Sequence, residues 1–384
     1  MGGNRFLPGL GVRNPIVLAP MGGGPGTPEL AAAVSNAGGV GSLAAAYWRP
    51  EEILESVRRT QALTSRPFAV NLFAGGYAAD AKADPAPMLE LLSGIHQALG
   101  LPPPVIPVLP PDPFRDQLEA VLEARPAVFS FTFGIPDSDA FRLLRARGIA
   151  ILGTATTAAE ARLLVEAGVD AVVAQGAEAG AHRGTFAVPF EAAMVPTVDL
   201  VREIAAFAPV IASGGIMDGR DLANMLAHGA VAAQLGTAFL TCPESGASPG
   251  YKRALLLAVN DRAVNDRAAS DRGKSLASDA TVITRAFSGR PARGLANAFT
   301  SLLAANEGAI LPYPLQNVLT GPMRRAAAAQ GNAEFLSLWA GQGVARVRQM
   351  PAAELVAKLV EESEAGAAAD PIFWGDRPAR NSIA

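Results

Sequence analysis

The stretch Ala171-Val-Val-Ala-Gln-Gly-Ala-Glu-Ala-Gly-Ala-His-Arg-Gly184 joins an apolar run to a glycine-rich loop. Ala171 to Ala174 have the uninterrupted apolar character of a strand that is buried on both faces. From Gln175 to Gly184, glycines and alanines surround one glutamate, one histidine and one arginine. Glycine lets the backbone approach a ligand closely, and a histidine can exchange a proton near neutral pH. The stretch therefore predicts a buried parallel strand that ends at a chemically active loop.

Eight apolar runs of this kind, nearly all separated by helical patterns, lie along the chain. Helix signals between them include Thr27 as N-cap before Pro28, and Thr157 as N-cap of a helix that ends at Gly168. Alternation predicts a parallel sheet, and a count of eight predicts closure into a (β/α)₈ barrel. The predicted strands are Pro15–Pro20, Val40–Ala44, Phe68–Phe73, Val128–Phe133, Ile149–Thr154, Ala171–Ala174, Val210–Ser213 and Ala232–Leu240.

A doubly wound open sheet is the alternative arrangement of the same elements. It would place a glycine-rich fingerprint after the first strand and an acidic residue about 20 residues further on. The segment Met21-Gly-Gly-Gly-Pro-Gly26 follows the first strand but does not have that spacing. The barrel is therefore the predicted α/β fold.

The chain continues well beyond the eighth predicted strand. We predict a TIM barrel with an inserted helical second domain between strand 8 and the last barrel helix, which starts at Pro351. The barrel would comprise residues 1–244 and 351–363, residues 245–350 would form a mainly helical domain over its mouth, and residues 364–384 a C-terminal tail. Residues 78–111 are interpreted as an insertion on the barrel face with one short helix. The polar run 260–274 is interpreted as a solvated helix face or loop.

Composition limits the classes to which this protein can belong. Hydrophobic residues make up 50% and charged residues 17% of the 384, which predicts a large core. A net charge of −3 gives no basic footprint for nucleic acid or membrane, and no apolar run is long enough to span a bilayer. The single cysteine and three histidines, without HxH or HExxH spacing, argue against a disulfide or a metal site. A cytoplasmic enzyme is predicted, and a homo-oligomer is compatible with the sequence.

The late strands end in turns that suit a phosphate group. The seventh predicted strand ends in Ser213-Gly214-Gly215, and the eighth contains Gln234-Leu235-Gly236-Thr237. Backbone N–H groups at such turns, beside the start of a helix, bind phosphate in barrel enzymes. Because no arginine cluster accompanies these turns, a cofactor phosphate is favoured over a phosphorylated substrate, and FMN fits this description. Turns that serve packing alone are the alternative.

Among the titratable side chains, His182 lies where a barrel enzyme places its chemistry. It follows the sixth predicted strand in the glycine-rich loop, so we predict that it faces the reacting groups. Glu178 would orient His182 or the cofactor, or would be a solvated loop acid. His228 is interpreted as a partner for a helix C-terminus, His96 as an exposed residue of the insertion, and Cys242 as buried packing.

Several segments together resemble the nitronate monooxygenase family, formerly called 2-nitropropane dioxygenases. The resemblance covers most of residues 15–360, and the histidine loop is its most specific part. It departs at Ala181, where the family often has glycine and where alanine is expected only with a negative φ. The matching segments are Ala19–Gly24, Asn71–Phe73, Gln175–Phe186, Ala212–Ile216 and Gln234–Thr237, with Phe287–Gly294 and Trp339–Gln342 resembling later motifs of the family's first class.

The resemblance implies an FMN-binding barrel without a metal, in which His182 is the active-site histidine. Ser288 is a second candidate catalytic residue, because it and Arg290 could reach the mouth of the barrel from the second domain. The predicted cofactor contacts, including both glycines of the seventh-strand turn, are Pro20, Met21, Gly22, Asn71, Gln175, Gly180, Gly214, Gly215, Gln234, Leu235, Gly236 and Thr237.

The implied activity is oxidation of an alkyl nitronate, such as propionate 3-nitronate, by O₂ to a carbonyl compound and nitrite. The flavin would carry the electron chemistry, while the protein supplies placement and charge. His182 would either hold the nitro oxygens or, as a neutral base, take the α-proton of a nitroalkane. The alternatives are an NADH-dependent flavin reductase of the quinone or enoyl-acyl-carrier-protein type, which shares the barrel, and a flavin-free lyase or isomerase.

Overall fold

Eight parallel strands form the centre of the computed structural model, which describes residues 9–77, 83–109, 111–270 and 281–369. A parallel bridge between Val17 and Val40 links the first strand to the start of the second, so the sheet closes on itself. The predicted (β/α)₈ barrel is confirmed. The first nine strands are β1 (Ile16–Leu18), β2 (Gly41–Ala44), β3 (Phe68–Phe73), β4 (Val128–Thr132), β5 (Ala150–Ala155), β6 (Ala171–Gln175), β7 (Ala181–His182), β8 (Val210–Ser213) and β9 (Ala232–Leu235), of which all but β7 belong to the barrel.

Helices cover the outside of the barrel and its mouth. Several begin at predicted caps: the side chain of Thr27 accepts from the backbone N–H of Leu30, and that of Thr157 from Glu160. The helices are α1 (Pro28–Asn36), α2 (Pro50–Leu63), α3 (Ala86–Ala98), α4 (Phe114–Ala124), α5 (Ser138–Arg145), α6 (Ala158–Ala167), α7 (Thr197–Ala205), α8 (Gly219–Ala227), α9 (Pro249–Ser270), α10 (Ala298–Ala304), α11 (Leu315–Leu319), α12 (Gly321–Gln330) and α13 (Ala352–Ala369).

The last helix, α13, completes the outer layer although it follows the final strand at a long distance in sequence. It packs between α8 and α1. The backbone N–H of Gly219 donates to Glu362 at 2.9 Å, and Arg348 forms an ion pair with the same carboxylate at 2.8 Å. The prediction that this segment is the last barrel helix is therefore confirmed. The helix continues to Ala369, into the predicted tail, and residues 370–384 lie outside the described residues.

A small second sheet lies at the mouth of the barrel, where no strands were predicted. Strands β10 (Thr281–Thr284) and β11 (Ala292–Leu295) are antiparallel, and β11 also pairs with β7. The eighth barrel strand is shorter than predicted, because the backbone leaves the extended conformation at Gly236, with ψ at −68°. A 3₁₀ turn over Thr237–Phe239 follows it. The second sheet and the early end of β9 both place backbone N–H and C=O groups at the mouth of the barrel.

Apolar packing connects the barrel with the later part of the chain. The main cluster contains barrel residues such as Phe129 and also Leu338 from the predicted second domain. A second cluster packs Met88 of α3 against Phe287 and its neighbours, so α3 joins the later segment rather than the barrel core. The division at residues 244 and 245 stays a prediction. No helix among the described residues is both long and apolar enough to cross a membrane.

Candidate active site

The carboxyl ends of the barrel strands surround a cavity of about 920 Å³. Within the described part of the chain, its wall contains arginines but no aspartate, glutamate or lysine. His182 lies on this wall, as does every predicted cofactor residue: Pro20, Met21, Gly22, Asn71, Gln175, Gly180, Gly214, Gly215, Gln234, Leu235, Gly236 and Thr237. The fold thus brings together residues from distant turns, as expected for the active face of a barrel.

Strand β7 carries His182 to the cavity wall. His182 pairs with Ala292 of β11, which fixes the backbone of the histidine relative to the later segment. Its Nε2 atom lies 2.7 Å from Oγ of Ser288, and the Ser288 side chain is buried. Ser288 is absent from the described cavity wall and lies behind the imidazole. The two predicted catalytic residues are therefore in contact, with Ser288 placed to orient His182.

Aromatic rings surround the imidazole of His182. Ring centroids lie 5.6 Å away for Trp339, 6.0 Å for Phe133 and 6.5 Å for Phe73. Phe133 adopts a φ of +73°, an uncommon conformation for a bulky residue that is often found near functional sites. Phe73 and Trp339 were part of the family resemblance, whereas Phe133 was predicted only as the end of a strand. The three rings give the imidazole largely apolar neighbours.

Burial and neighbouring charge keep His182 neutral. Desolvation lowers the pKa of His182 most, and the positive charges of Arg290 and Arg324 lower it further, to about 3. The guanidinium of Arg290 stacks 4.0 Å from the centre of the Phe133 ring. An imidazole with this pKa is uncharged near neutral pH. It can accept or donate a hydrogen bond, but the positive charge near it belongs to arginine.

Two buried arginines hold the histidine loop from behind. Arg293 donates from Nη2 to the carbonyl oxygen of Ala177 at 3.0 Å, and Arg183 donates to three further carbonyls. A guanidinium presents several donors in a fixed fork, so each arginine restrains more than one peptide group. Neither arginine received a role from sequence alone. The carbonyls bound by Arg183 belong to Gln175, Gly176 and Ala193.

Glu178 caps a helix instead of contacting the histidine. One of its carboxylate oxygens accepts from the backbone N–H of Thr197 at 2.9 Å and from its hydroxyl at 2.6 Å, at the start of α7. The prediction that Glu178 orients His182 is therefore wrong, the carboxylate is half-buried, and a role in orienting the cofactor stays a prediction. The local sequence gave no signal for this role, because Thr197 is brought to the loop only by the barrel fold.

The buried carboxylate of Glu160 holds the chain just beyond the histidine loop. It accepts hydrogen bonds from Thr156, Thr185, Phe186 and Ala187. Burial alone would raise the pKa of Glu160, but these hydrogen bonds lower it below its usual value. Glu160 therefore connects the start of α6 to the residues that follow the loop, and its ionised form is the stable one.

The amide side chains on the cavity wall also organise its backbone. Nε2 of Gln175 donates to the carbonyl of His182 at 2.9 Å, and its Oε1 accepts from the N–H of Gly184 at 2.8 Å. Asn71 donates to the hydroxyl of Ser130 at 3.0 Å. Gln175 thus links the two ends of the histidine loop by hydrogen bonds. The side chain of Gln175 also lines the cavity.

The turn after β8 has the backbone shape of an anion site. Gly214 and Gly215 have φ values of +128° and +74°, a conformation that glycine adopts readily. Among the described residues, no acceptor binds the backbone N–H of either glycine. The nearby hydroxyl of Thr237 accepts from the N–H of Gly341 at 2.9 Å. The turn therefore offers free donors to a phosphate group.

The other histidines and the cysteine have structural positions. His96 is only 3% exposed, and its Nδ1 donates to the carbonyl of Pro102 at 2.7 Å, so the prediction of an exposed residue is wrong. It is buried because α3 packs into the second cluster. His228 ends α8 and donates from Nδ1 to the carbonyl of Asn224 at 2.7 Å, as predicted. Cys242 is fully buried, and burial raises its pKa to about 12, consistent with packing.

The backbone at Ala181 contradicts the expectation of a negative φ. Its φ is +63°, in the left-handed region, where an alanine costs roughly 1–2 kcal/mol. Pairing of Ala181 with Arg293 in β11 holds this conformation. The strain lies beside His182, which suggests that the position of the histidine is maintained at the expense of local backbone energy.

Replacing Ala181 with glycine is expected to raise the free energy of unfolding by up to about 1 kcal/mol, because relief of the left-handed strain outweighs the added entropy of the unfolded chain. Urea denaturation followed by circular dichroism would measure the change. Ala179→Gly is the control, since Ala179 lies in the same loop without a positive φ and should lose stability. Equal losses in the two variants would contradict the strain at Ala181.

Comparisons with known proteins identify the family of this chain. The model of the family described as nitronate monooxygenase matches residues 5–362. A nitronate monooxygenase from Pseudomonas aeruginosa is 44% identical over 371 residues, which cover 94% of this chain and 99% of that protein. A probable nitronate monooxygenase from Staphylococcus saprophyticus is 38% identical over 92% of this chain and 96% of that protein.

Solved structures show the same likeness. The nitroalkane oxidase from Streptomyces ansochromogenes has a TM-score of 0.82 and 38% identity, covering 94% of this chain and 99% of that one. FabK from Thermotoga maritima has a TM-score of 0.72 and 26% identity, covering 97% and 100%. The barrel, its polar mouth and these relatives define a flavin-dependent oxidoreductase of the TIM-barrel class. The chain belongs to the nitronate monooxygenase family.

Proposed function

We propose that this protein is an FMN-dependent enzyme that oxidises alkyl nitronates with O₂ to carbonyl compounds and nitrite. The observation that carries the proposal is the neutral His182 on a cavity wall that contains arginines and, among the described residues, no carboxylate. Such a wall favours an anionic ligand over a cation, and a nitronate is an anion. Membership of the nitronate monooxygenase family supports the same reaction.

The residues present fit FMN as the cofactor. The free backbone donors at Gly214 and Gly215 suit its phosphate, and the absence of carboxylates from the described wall avoids repulsion of that group. The amides of Asn71 and Gln175 would bind polar atoms of the flavin, and the cavity volume lies in the range of cofactor sites. When bound, FMN would supply the electron transfer to O₂.

His182 would act as a neutral hydrogen-bonding group. The hydroxyl of Ser288 lies 3.3 Å from the carbonyl oxygen of Arg290, which can accept a hydrogen bond from it. When Ser288 donates to that carbonyl, Nε2 of His182 carries a proton and donates to Ser288, and Nδ1 is left as the acceptor of the ring. In this tautomer His182 can take the α-proton of a neutral nitroalkane, whereas an existing nitronate needs no such step.

An NADH-dependent flavin reductase is the second candidate function. Structural similarity to FabK over nearly the full chain supports this second candidate, since that protein has the same barrel. The two functions differ in the electron donor that they need. A nitronate oxidase uses its organic substrate as the donor, so added NADH has no effect on its rate.

The test is product analysis with purified protein. We expect FMN to be released on denaturation and identified by mass spectrometry. With propionate 3-nitronate, oxygen uptake and nitrite release should both occur without NADH, and heat-denatured protein is the control. Colourless protein would contradict the assignment of FMN as the cofactor and would favour a flavin-free barrel enzyme. Flavin-containing protein that releases nitrite only with NADH would favour the reductase.

The low pKa of His182 predicts how stability depends on pH. The folded protein protonates His182 only near pH 3, whereas the unfolded chain binds this proton at its ordinary value of 6.5. The unfolded state therefore binds more protons between these values, and stability is lost as the pH falls below 6.5. We expect His182→Gln to become progressively more stable relative to the parent protein as the pH falls from about 7 to 5. Denaturation curves measure this difference, and a constant difference across the range would contradict a neutral His182.

A further inference from the structure

Arg324 is a cation on the cavity wall without an anionic partner among the described residues. It lies on α12 and donates from Nη2 to the backbone carbonyl of Asn317 at 2.6 Å and to its side-chain oxygen at 3.0 Å. Both acceptors are neutral. Its Nε atom is buried and has no hydrogen-bond partner in the described part of the chain. Burying a charge without a counter-charge lowers the stability of the folded protein, unless a bound ligand supplies that counter-charge and the missing hydrogen bond.

The other inward-facing arginines have different environments. Arg183 also has a buried Nε without a partner among the described residues, but it donates to three carbonyls behind the loop and is absent from the described cavity wall. Arg346 and Arg348 form ion pairs with carboxylates. Arg290 stacks on Phe133 and is not part of the described cavity wall. Arg325 lines the cavity but is exposed to solvent. Arg324 is therefore the partly buried arginine whose charge faces the cavity without compensation.

We propose that Arg324 binds the anionic nitro group of the substrate and so selects nitronates over neutral nitroalkanes. This inference rests on the proposed function. It separates two roles that sequence alone assigned to His182: Arg324 supplies the positive charge, and His182 supplies a neutral hydrogen bond or a base. A planar guanidinium matches the two oxygens of a nitronate with paired N–H donors, as it does a carboxylate.

The position of Arg324 near His182 supports this division. Both side chains line the same cavity, and the charge of Arg324 contributes to lowering the pKa of His182. Burial lowers the pKa of Arg324 itself, but an arginine stays protonated near neutral pH. An anion bound between them would relieve the isolation of Arg324 without requiring a proton on His182.

Nitrate is a suitable probe because it is a planar oxyanion like the nitro group and is not oxidised. We expect isothermal titration of the flavin-loaded enzyme with sodium nitrate to show binding that Arg324→Met weakens at least ~10-fold, since a charge-assisted pair is lost. Arg324→Lys should retain part of the affinity. Arg58→Met, which removes an exposed arginine of α2 that is absent from the described cavity wall, is the control and should bind nitrate like the parent enzyme.

Kinetics provide the second readout. Arg324→Met should raise KM for ethylnitronate, the preformed anion of nitroethane, at least ~10-fold and should change KM for neutral nitroethane by less than ~3-fold, because nitroethane carries no charge when it binds. Equal rises of KM for ethylnitronate and nitroethane, unchanged nitrate affinity in Arg324→Met, or no nitrate binding to the parent enzyme would overturn the proposal. Loss of FMN from Arg324→Met with the parent affinity for nitrate would assign Arg324 to the cofactor instead. If no nitronate is oxidised, the proposed function fails, while the nitrate titration still decides the role of Arg324.

Discussion

His182→Gln is expected to lower kcat/KM for a neutral nitroalkane by ~100-fold or more while the protein stays folded and yellow. General bases typically contribute factors of this size, and glutamine keeps a hydrogen-bonding side chain without a basic nitrogen. The negative charge that develops on the nitro group would offset the arginine charges that lower the pKa of His182 in the free enzyme. The imidazole is neutral, hydrogen-bonded to Ser288 at 2.7 Å and flanked by aromatic rings, none of which can act as a base in its place. Initial rates of oxygen uptake with nitroethane and with its preformed nitronate measure the effect.

The difference between the two substrates identifies the role of His182. Loss with the nitroalkane and a smaller loss with the nitronate indicates a base, whereas equal loss indicates a group that only positions the substrate. Ser288→Ala should show a weaker form of the same pattern, because Ser288 acts through the imidazole. His228→Gln removes a histidine far from the cavity wall and should leave both rates unchanged. Full activity of His182→Gln on nitroethane would contradict a catalytic His182.

Gly180→Ala is expected to displace the histidine loop and to lower the free energy of unfolding by about 1–3 kcal/mol, as other overpacked sites do. A Cβ atom at Gly180 would lie 2.5 Å from the carbonyl carbon of Ala340 and 2.5 Å from the nitrogen of Gly341. Both contacts are with backbone atoms, which cannot rotate away as a side chain can. Because Gly180 lines the cavity two residues before His182, we expect loss of bound flavin and most activity.

The control for Gly180→Ala is Gly308→Ala, where an added Cβ would meet nothing within 4 Å. This variant should bind FMN and unfold like the parent protein. Fluorescence of released flavin gives the cofactor content, and thermal unfolding gives the stability. A Gly180→Ala variant with normal flavin content and stability would show that the loop and the Ala340 segment are less tightly packed than the structure indicates.

The barrel and most of its lining could be predicted because both follow from local patterns. Each parallel strand is a short apolar run, and in a barrel all such strands point their carboxyl ends to the same mouth. Residues near the carboxyl end of a strand or just beyond it, such as Asn71, Gln175 and Gly215, therefore had to share a cavity, whatever the details of packing. The closing helix α13 was predictable for the same reason, since its apolar face repeats at helical spacing.

The remaining parts depend on contacts between distant segments. Glu178 accepts a hydrogen bond from Thr197, which is distant in sequence. His96 is buried because α3 packs into the second cluster. A local sequence pattern predicts neither contact. Strand β11 pairs with β10 and also with β7, and β7 has only two residues, which is too short to give a signal in the sequence. Arg324 lies in a helical run of alanines and arginines, where sequence gives no reason to distinguish it from Arg325.

Anaerobic titration of the purified enzyme, followed by admission of air, tests the central claim most directly. We predict that propionate 3-nitronate bleaches the flavin absorbance without oxygen, that air restores it, and that nitrite appears in proportion to the nitronate consumed. NADH at the same concentration should leave the spectrum unchanged. Rapid bleaching by NADH together with no response to the nitronate would contradict the account and identify a pyridine-nucleotide-dependent reductase on the same barrel.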